Sequence, residues 1–318
     1  VRVNGEREIN ALIAELRTVY GDAADQLRAT LDSPNLTASG GARAGKLIRQ
    51  VEAMRAALDA KAAQLTANGI SKAYRYGANL ASQQLTDMGV NATLDLGSVI
   101  HASAVQVIAE QMATDLLNAN GIIETQIKGV IRKTQQAVIE ERAINRTLGT
   151  ALIQGQTRRE ATDAIVAQIQ AGLGNDQFLV INGRRYKPAY YAELVARTRT
   201  TEAVTQGAIN TAIENGFDLV QITVHNHPQD DPCSPHQGRI YSLSGKSKTF
   251  PKLTARPPFH PNCRHRIVPV SEEHLERLGQ LDAAKALAKS DTTIADQAAF
   301  EAFRTKTAAK KITKKTGE

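Results

Sequence analysis

From Ile9 to Ala171 apolar side chains return every three or four residues, a spacing that confines the first half of this 318-residue chain to amphipathic helices. Ile9, Leu12, Ile13, Leu16, Tyr20, Leu27 and Leu31 mark one stripe. A Pro/Ser/Gly-rich break over 33–45 separates it from a second stripe on Leu47, Ile48, Val51, Met54, Leu58 and Leu65. Asn68-Gly69 reads as a stop signal for that second helix. Further helical patterns cover about 71–87, 96–118, 122–148 and 157–171, with Gly-containing turns between them. Trp is absent and aromatics are 4% of the chain, which suits helices better than a β-sandwich.

The pattern changes near Phe178. Asn182-Gly183 sits inside a short β-prone run ending at Tyr186, the sequence signature of a two-residue hairpin. A helix is predicted from Pro188 to Asn215, closed by Gly216, and strands are predicted over 218–224, 239–243 and 264–270. Ser271, followed by Glu272 and Glu273, predicts the N-cap of one more helix running to Lys289. The fold class is therefore α+β and mostly α. It divides into an elongated helical domain over 1–175, a small α+β domain with a Cys/His-clamped loop over 176–271, and a helix with a basic tail over 272–318. No apolar run is long enough to span a bilayer, and Val1 to Glu8 lack a signal-peptide core, so the reading is a soluble protein without membrane contact.

Five of the seven histidines and both cysteines lie between His225 and His265. Cys233-Ser-Pro-His236 and His260-Pro-Asn-Cys263 are two ligand pairs of C-x2-H and H-x2-C form. Together they are suited to one tetrahedral zinc ion that would pin a loop of poor apolar content. His265 is a substitute ligand or a hydrogen-bonding neighbour of the ligands. A Cys233–Cys263 disulfide and a pair of buried thiols are the competing readings.

A zinc hydrolase, nuclease or protease, built on the His225–His265 cluster is the enzyme alternative. His225-x-His227-Pro228 resembles the start of the JAMM metalloprotease signature. Pro235 and Gly238, however, stand where that signature needs its Ser and Asp, so no catalytic residue is assigned. The segment 38–46 lacks P-loop spacing, and no small-molecule substrate is implied. Arg199 and Glu202 fall within i,i+3 reach on the helix predicted after Pro188.

The net charge is +7, and its placement is uneven. Between Pro232 and Ser271 there are seven Lys or Arg and no acid. The C-terminus carries Lys306, Lys310, Lys311, Lys314 and Lys315 against Glu318 alone. Such patches attract phosphate backbones, so the tail lysines with Arg264 and Arg266 are the candidate nucleic-acid contacts. A solubilising tail is the alternative.

Four ordered segments resemble the successive motifs of phage minor capsid protein 2. They are Gly183-Arg-Arg-Tyr186, the run from Tyr191 to Ala203, the run from Cys233 to Ser242, and Pro258-Phe-His-Pro-Asn-Cys-Arg-His265. They are also similar to the head-morphogenesis domain of Mu F-like proteins. In the Mu F-like pattern Cys233, His260 and Cys263 match Cys/His positions, while His236 and His265 stand where many members have Cys. The resemblance implies a structural head protein, in the virion near the portal and in host cytoplasm during assembly. The implied partners are portal protein, major capsid protein and double-stranded DNA.

Overall fold

A computed structural model describes residues 2–32, 40–147, 179–225 and 231–289. Three long helices come first: α1 (Arg2–Asp32), α2 (Gly40–Asp87) and α3 (Val99–Thr147). A hairpin follows, β1 (Leu179–Ile181) and β2 (Arg184–Tyr186), and then α4 (Pro188–Glu214). β3 (Leu219–Ile222), β4 (Ile240–Ser242) and β5 (Ile267–Pro269) precede two short helices, α5 (Glu272–Arg277) and α6 (Leu281–Ala288). The chain is thus mostly α with small antiparallel sheets, the class expected from its spacing. The helix predicted over 157–171 lies outside the described residues.

Two predicted boundaries are corrected. Asn68-Gly69 does not end a helix, because α2 continues to Asp87. The break expected after Asn118 is likewise absent, since Gly121 lies within α3. An interior glycine costs about 1 kcal/mol relative to alanine. Beyond Gly69, however, the same helix buries Ile70, Ala73, Tyr74, Ala78, Ala81 and Leu85, and that packing outweighs the propensity loss. The helix predicted after Ser271 is also split, with Gly279 at φ +65° between α5 and α6, as left-handed C-terminal residues commonly are.

Other local signals hold. Asn182 (φ 49°) and Gly183 (φ 72°) make the predicted hairpin turn, and Gly216 (φ 75°) follows α4. Ser271 caps α5 by accepting a hydrogen bond from the His274 amide at 3.1 Å. Arg199 and Glu202 pair at 2.8 Å.

The residues group into two compact units, to each of which α1–α4 contribute. One comprises residues 11–67 and 111–196. Its ion pairs Arg55–Glu124 and Lys128–Glu52 run in opposite chain directions along α2 and α3, so these helices are antiparallel. Its core joins Leu27, Leu47 and Val51 to Ile123, Ile127, Ile131 and Leu179.

The other unit comprises residues 1–10, 68–110 and 197–318. Its antiparallel sheet has the order β4-β3-β5, with Val220 opposite Tyr241 and Ile222 opposite Ile267. Strand alternation sends Val220, Ile222, Tyr241 and Ile267 to one face, against Ile209 and Ala212 of α4. Leu219, Ile240 and Val270 meet Phe250, Leu275 and Ala284 on the other. The sheet is therefore covered on both faces, which is how three strands of three or four residues hold together.

A buried polar chain ties α2, α3 and α4 within this unit. The Tyr74 hydroxyl lies 2.7 Å from His101 Nδ1 and accepts a 2.7 Å hydrogen bond from the Asn210 amide. His101 Nε2 lies 2.8 Å from Glu214, which also accepts from the Ser98 hydroxyl at 2.7 Å. Burial pushes the Tyr74 phenol up to about 12. Burial also acts to raise Glu214, but the bonds from His101 and Ser98 outweigh it and hold the carboxyl below its usual range. Tyr74→Phe removes a hydroxyl that both His101 and Asn210 use, and is expected to destabilise the protein by about 1–3 kcal/mol, read from denaturant midpoints.

Candidate metal centre

Two turns bring the site together. The first is a 3-10 turn over Ser234–His236, with Cys233 at its start and Pro235 inside it. Its hydrogen bonds run from the Ser234 amide to Asp231 O and from the His236 amide to Cys233 O. The buried Arg239 guanidinium braces it, donating from Nε to Pro235 O at 2.5 Å and from Nη1 to Leu287 O at 2.8 Å. In the second turn the Cys263 amide donates to His260 O at 3.1 Å, and Asn262 takes φ 68°. The chain then runs directly into β5, where the Thr223 amide donates to Arg266 O and the Arg266 amide to Thr223 Oγ1. The ladder between β3 and β5 thus fixes the position of His265.

Two overlapping groups result, in each of which the ligand atoms lie within 4.8 Å of one another: Cys233, Cys263 and His265, and Asp231, Cys233 and His260. Cys233 Sγ is 3.2 Å from His260 Nε2, and Cys263 Sγ is 3.6 Å from His265 Nδ1. Cys233, Cys263 and His265 are buried and His260 is half-buried. Zinc bonds of about 2.0–2.3 Å to N and S set tetrahedral ligand atoms about 3.3–3.8 Å apart, and the two measured separations lie close to that range. These Cys and His side chains can bind a metal ion.

The hydrogen bond from Cys233, against the opposing effect of burial, holds the Cys263 thiol far below its ordinary value, helped by His260 and His265. The same bond, followed by burial, pushes Cys233 up. His260 is raised by its hydrogen bond to Cys263, with burial opposing. The two sulfurs thus compete for protons at close range, and a soft cation between them would take the protons' place.

His236 stands apart from both groups. Its Nδ1 is 2.8 Å from the Tyr241 hydroxyl, and its ring lies flat on Phe259 with centroids 4.2 Å apart. His225 meets the His265 ring edge-on at 5.0 Å, and its amide donates to Gln237 Oε1 at 2.8 Å. His227 lies outside the described residues. Ligand spacing did not single out Asp231, which the structure groups with Cys233 and His260. A carboxylate two positions before a cysteine is an ordinary surface feature, and the turn that begins with the Ser234 amide donating to Asp231 O brings the two residues close together.

Of the candidate nucleic-acid contacts, Arg264 is exposed. Arg266 donates to Glu6 Oε1 and to the Tyr76 hydroxyl, both at 3.1 Å, and lies 5.2 Å from the Tyr76 ring centroid. Lys306, Lys310, Lys311, Lys314 and Lys315 lie outside the described residues.

Fold and site together define a predominantly helical protein whose small sheet ends in a paired-cysteine, paired-histidine cluster. The family model of phage minor capsid protein 2 matches residues 42–301, and the chain belongs to that family. No curated protein and no solved structure matches it significantly. Family membership implies a structural component of the virion that interacts with other head proteins. No described helix is long and apolar enough to cross a membrane.

Proposed function

We propose that the chain is a non-enzymatic structural protein of the phage head that associates with the portal and acts in head assembly and in packaging or delivery of the genome. Residues 1–175 are the part that contacts portal and major capsid protein, 176–271 form the head-morphogenesis domain, and 272–318 supply two short helices and a basic tail. The tail lysines and Arg264 meet double-stranded DNA. The protein is made in host cytoplasm and resides inside the head near the portal.

The observation that carries this reading is the family match over residues 42–301, which spans both the helical half and the Cys/His cluster. Within it, Cys233, His260, Cys263 and His265 bind one structural zinc. Four protein ligands close a tetrahedral shell and leave no position for an attacking water, so the zinc ties the two turns to the sheet instead of performing hydrolysis.

Blocking expression of this chain during infection provides the test. Normal capsid subunits with empty or unstable heads, and the chain recovered with portal in wild-type particles, are the expected result. Full-titre, DNA-filled particles without the chain would refute the proposal.

A further inference from the structure

Seven cations and no acid occupy the stretch from Pro232 to Ser271, and the structure sorts them. Arg239 is buried in the brace described above, Arg266 is held by Glu6 and Tyr76, and Arg256 donates to Gln206. Lys246, Lys248, Lys252 and Arg264 remain exposed, and none forms an ion pair among the described residues. Three of these four lie on one short loop.

The loop is tightly built. At its start the Asp218 carboxylate accepts the Ser242 hydroxyl at 2.5 Å and the Ser244 amide at 2.7 Å. The Gly245 amide donates to Ser242 Oγ at 2.8 Å, and the Thr249 and Phe250 amides donate to Ser247 Oγ at 3.2 and 3.0 Å. Hydrogen bonds from the Ser242 amide to Pro251 O and from the Leu253 amide to Ser242 O close the loop, and Phe250 is buried against Ile240 and Val270. Gly245 has φ +77°, and the Lys252 stem lies over it, next to Lys246. Lys246 acts on Asp218 only at a distance, through its charge, and that carboxylate is already taken up by the loop's own donors.

We infer that the Ser244–Lys252 loop is a docking surface for the backbone of double-stranded DNA, held by Lys246, Lys248 and Lys252. The inference rests on the DNA contact proposed above and assigns it to a surface other than the tail. Three point charges on a fixed loop suit a duplex that carries one negative charge per about 1.7 Å of axis. Protein interfaces are depleted of lysine and anchored by apolar or aromatic side chains, whereas the aromatic of this loop faces the core. Its exposed Ser, Gly, Lys and Thr residues reach phosphates and do not read bases, so binding is independent of sequence.

The test is fluorescence anisotropy of the full chain with a random-sequence duplex of about 30 base pairs over a salt series. Three proteins are compared: wild type, the triple variant Lys246→Ala, Lys248→Ala, Lys252→Ala, and a variant with the five tail lysines changed to glutamine. The triple variant is expected to keep wild-type circular dichroism and melting, to bind at least about tenfold more weakly, and to lose about two to three from the salt slope. Binding unchanged in the triple variant but lost in the tail variant would overturn the loop assignment and leave DNA contact standing. No wild-type binding at low salt would overturn both. A triple variant that keeps DNA affinity but loses portal binding would give the loop to an acidic protein surface and overturn the inference.

Discussion

Chelating zinc from the purified, reduced protein is expected to lower its melting temperature by about 10 °C and to unfold the three-stranded sheet while most helical dichroism survives. Free zinc at about a thousand times its dissociation constant stabilises the bound fold by about 4 kcal/mol, and each kcal/mol moves the midpoint of a chain this size by a few degrees. The effect centres on the sheet because His265 stands two residues before β5 and Cys233 starts the turn before β4. Cys233→Ser, Cys263→Ser and His265→Ala should each lose the metal. His236→Ala should keep it while losing the stacking on Phe259 and the bond to Tyr241. Affinity should fall as pH drops, because protons compete with the metal for the thiolates and imidazoles, and the thiol of Cys233 is the harder of the two to deprotonate. The measurement is zinc per chain by elemental analysis alongside thermal melts. A wild-type protein that holds no zinc after growth and purification with zinc present refutes the site.

The helices, the Asn182-Gly183 hairpin and the Ser271 cap were legible in the sequence because each depends on a local signal: apolar spacing, a left-handed pair of turn residues, or a hydroxyl beside the first helical amides. Helix ends were legible only where nothing distant competed. Asn68-Gly69 carries a stop signal, but Ile70, Ala73 and Tyr74 are buried on the far side of it, and a single sequence gives no measure of that burial. The candidate metal cluster shows the same division. Spacing found Cys233, His260 and Cys263, since short C-x2-H and H-x2-C intervals report proximity along the chain. It ranked His236 above His265; in the structure Phe259 and Tyr241 take the His236 ring, and the β3–β5 ladder sets His265 beside Cys263, contacts between residues distant in the sequence that spacing does not report. The basic stretch was visible as composition. Which of its cations are spent on carbonyls, rings and acids became visible only with the fold.

Gly77→Ala and Gly207→Ala are each expected to cost about 3 kcal/mol or more, a large fraction of the roughly 5–15 kcal/mol that keeps an ordinary domain folded. The usual rule predicts the opposite sign, since alanine is the better helix former by about 1 kcal/mol. Here α2 and α4 cross backbone to backbone within one compact unit. A methyl group on Gly77 would run into the Val204 carbonyl, and one on Gly207 into the Tyr74 carbonyl and the Ala78 amide nitrogen. Neither obstacle is a side chain that could rotate away, so the helices must separate. Separation would pull apart Ala73, Ala78, Ala203 and Ala208, which are all buried, and would stretch the bond from Asn210 to Tyr74. Gly129 in α3 is the control. A methyl group there meets nothing within 4 Å, so Gly129→Ala should show the ordinary propensity gain of about 1 kcal/mol. Soluble yield and urea midpoints for the three variants check the set. A Gly77→Ala protein as stable as wild type would mean that the helices do not meet at this glycine.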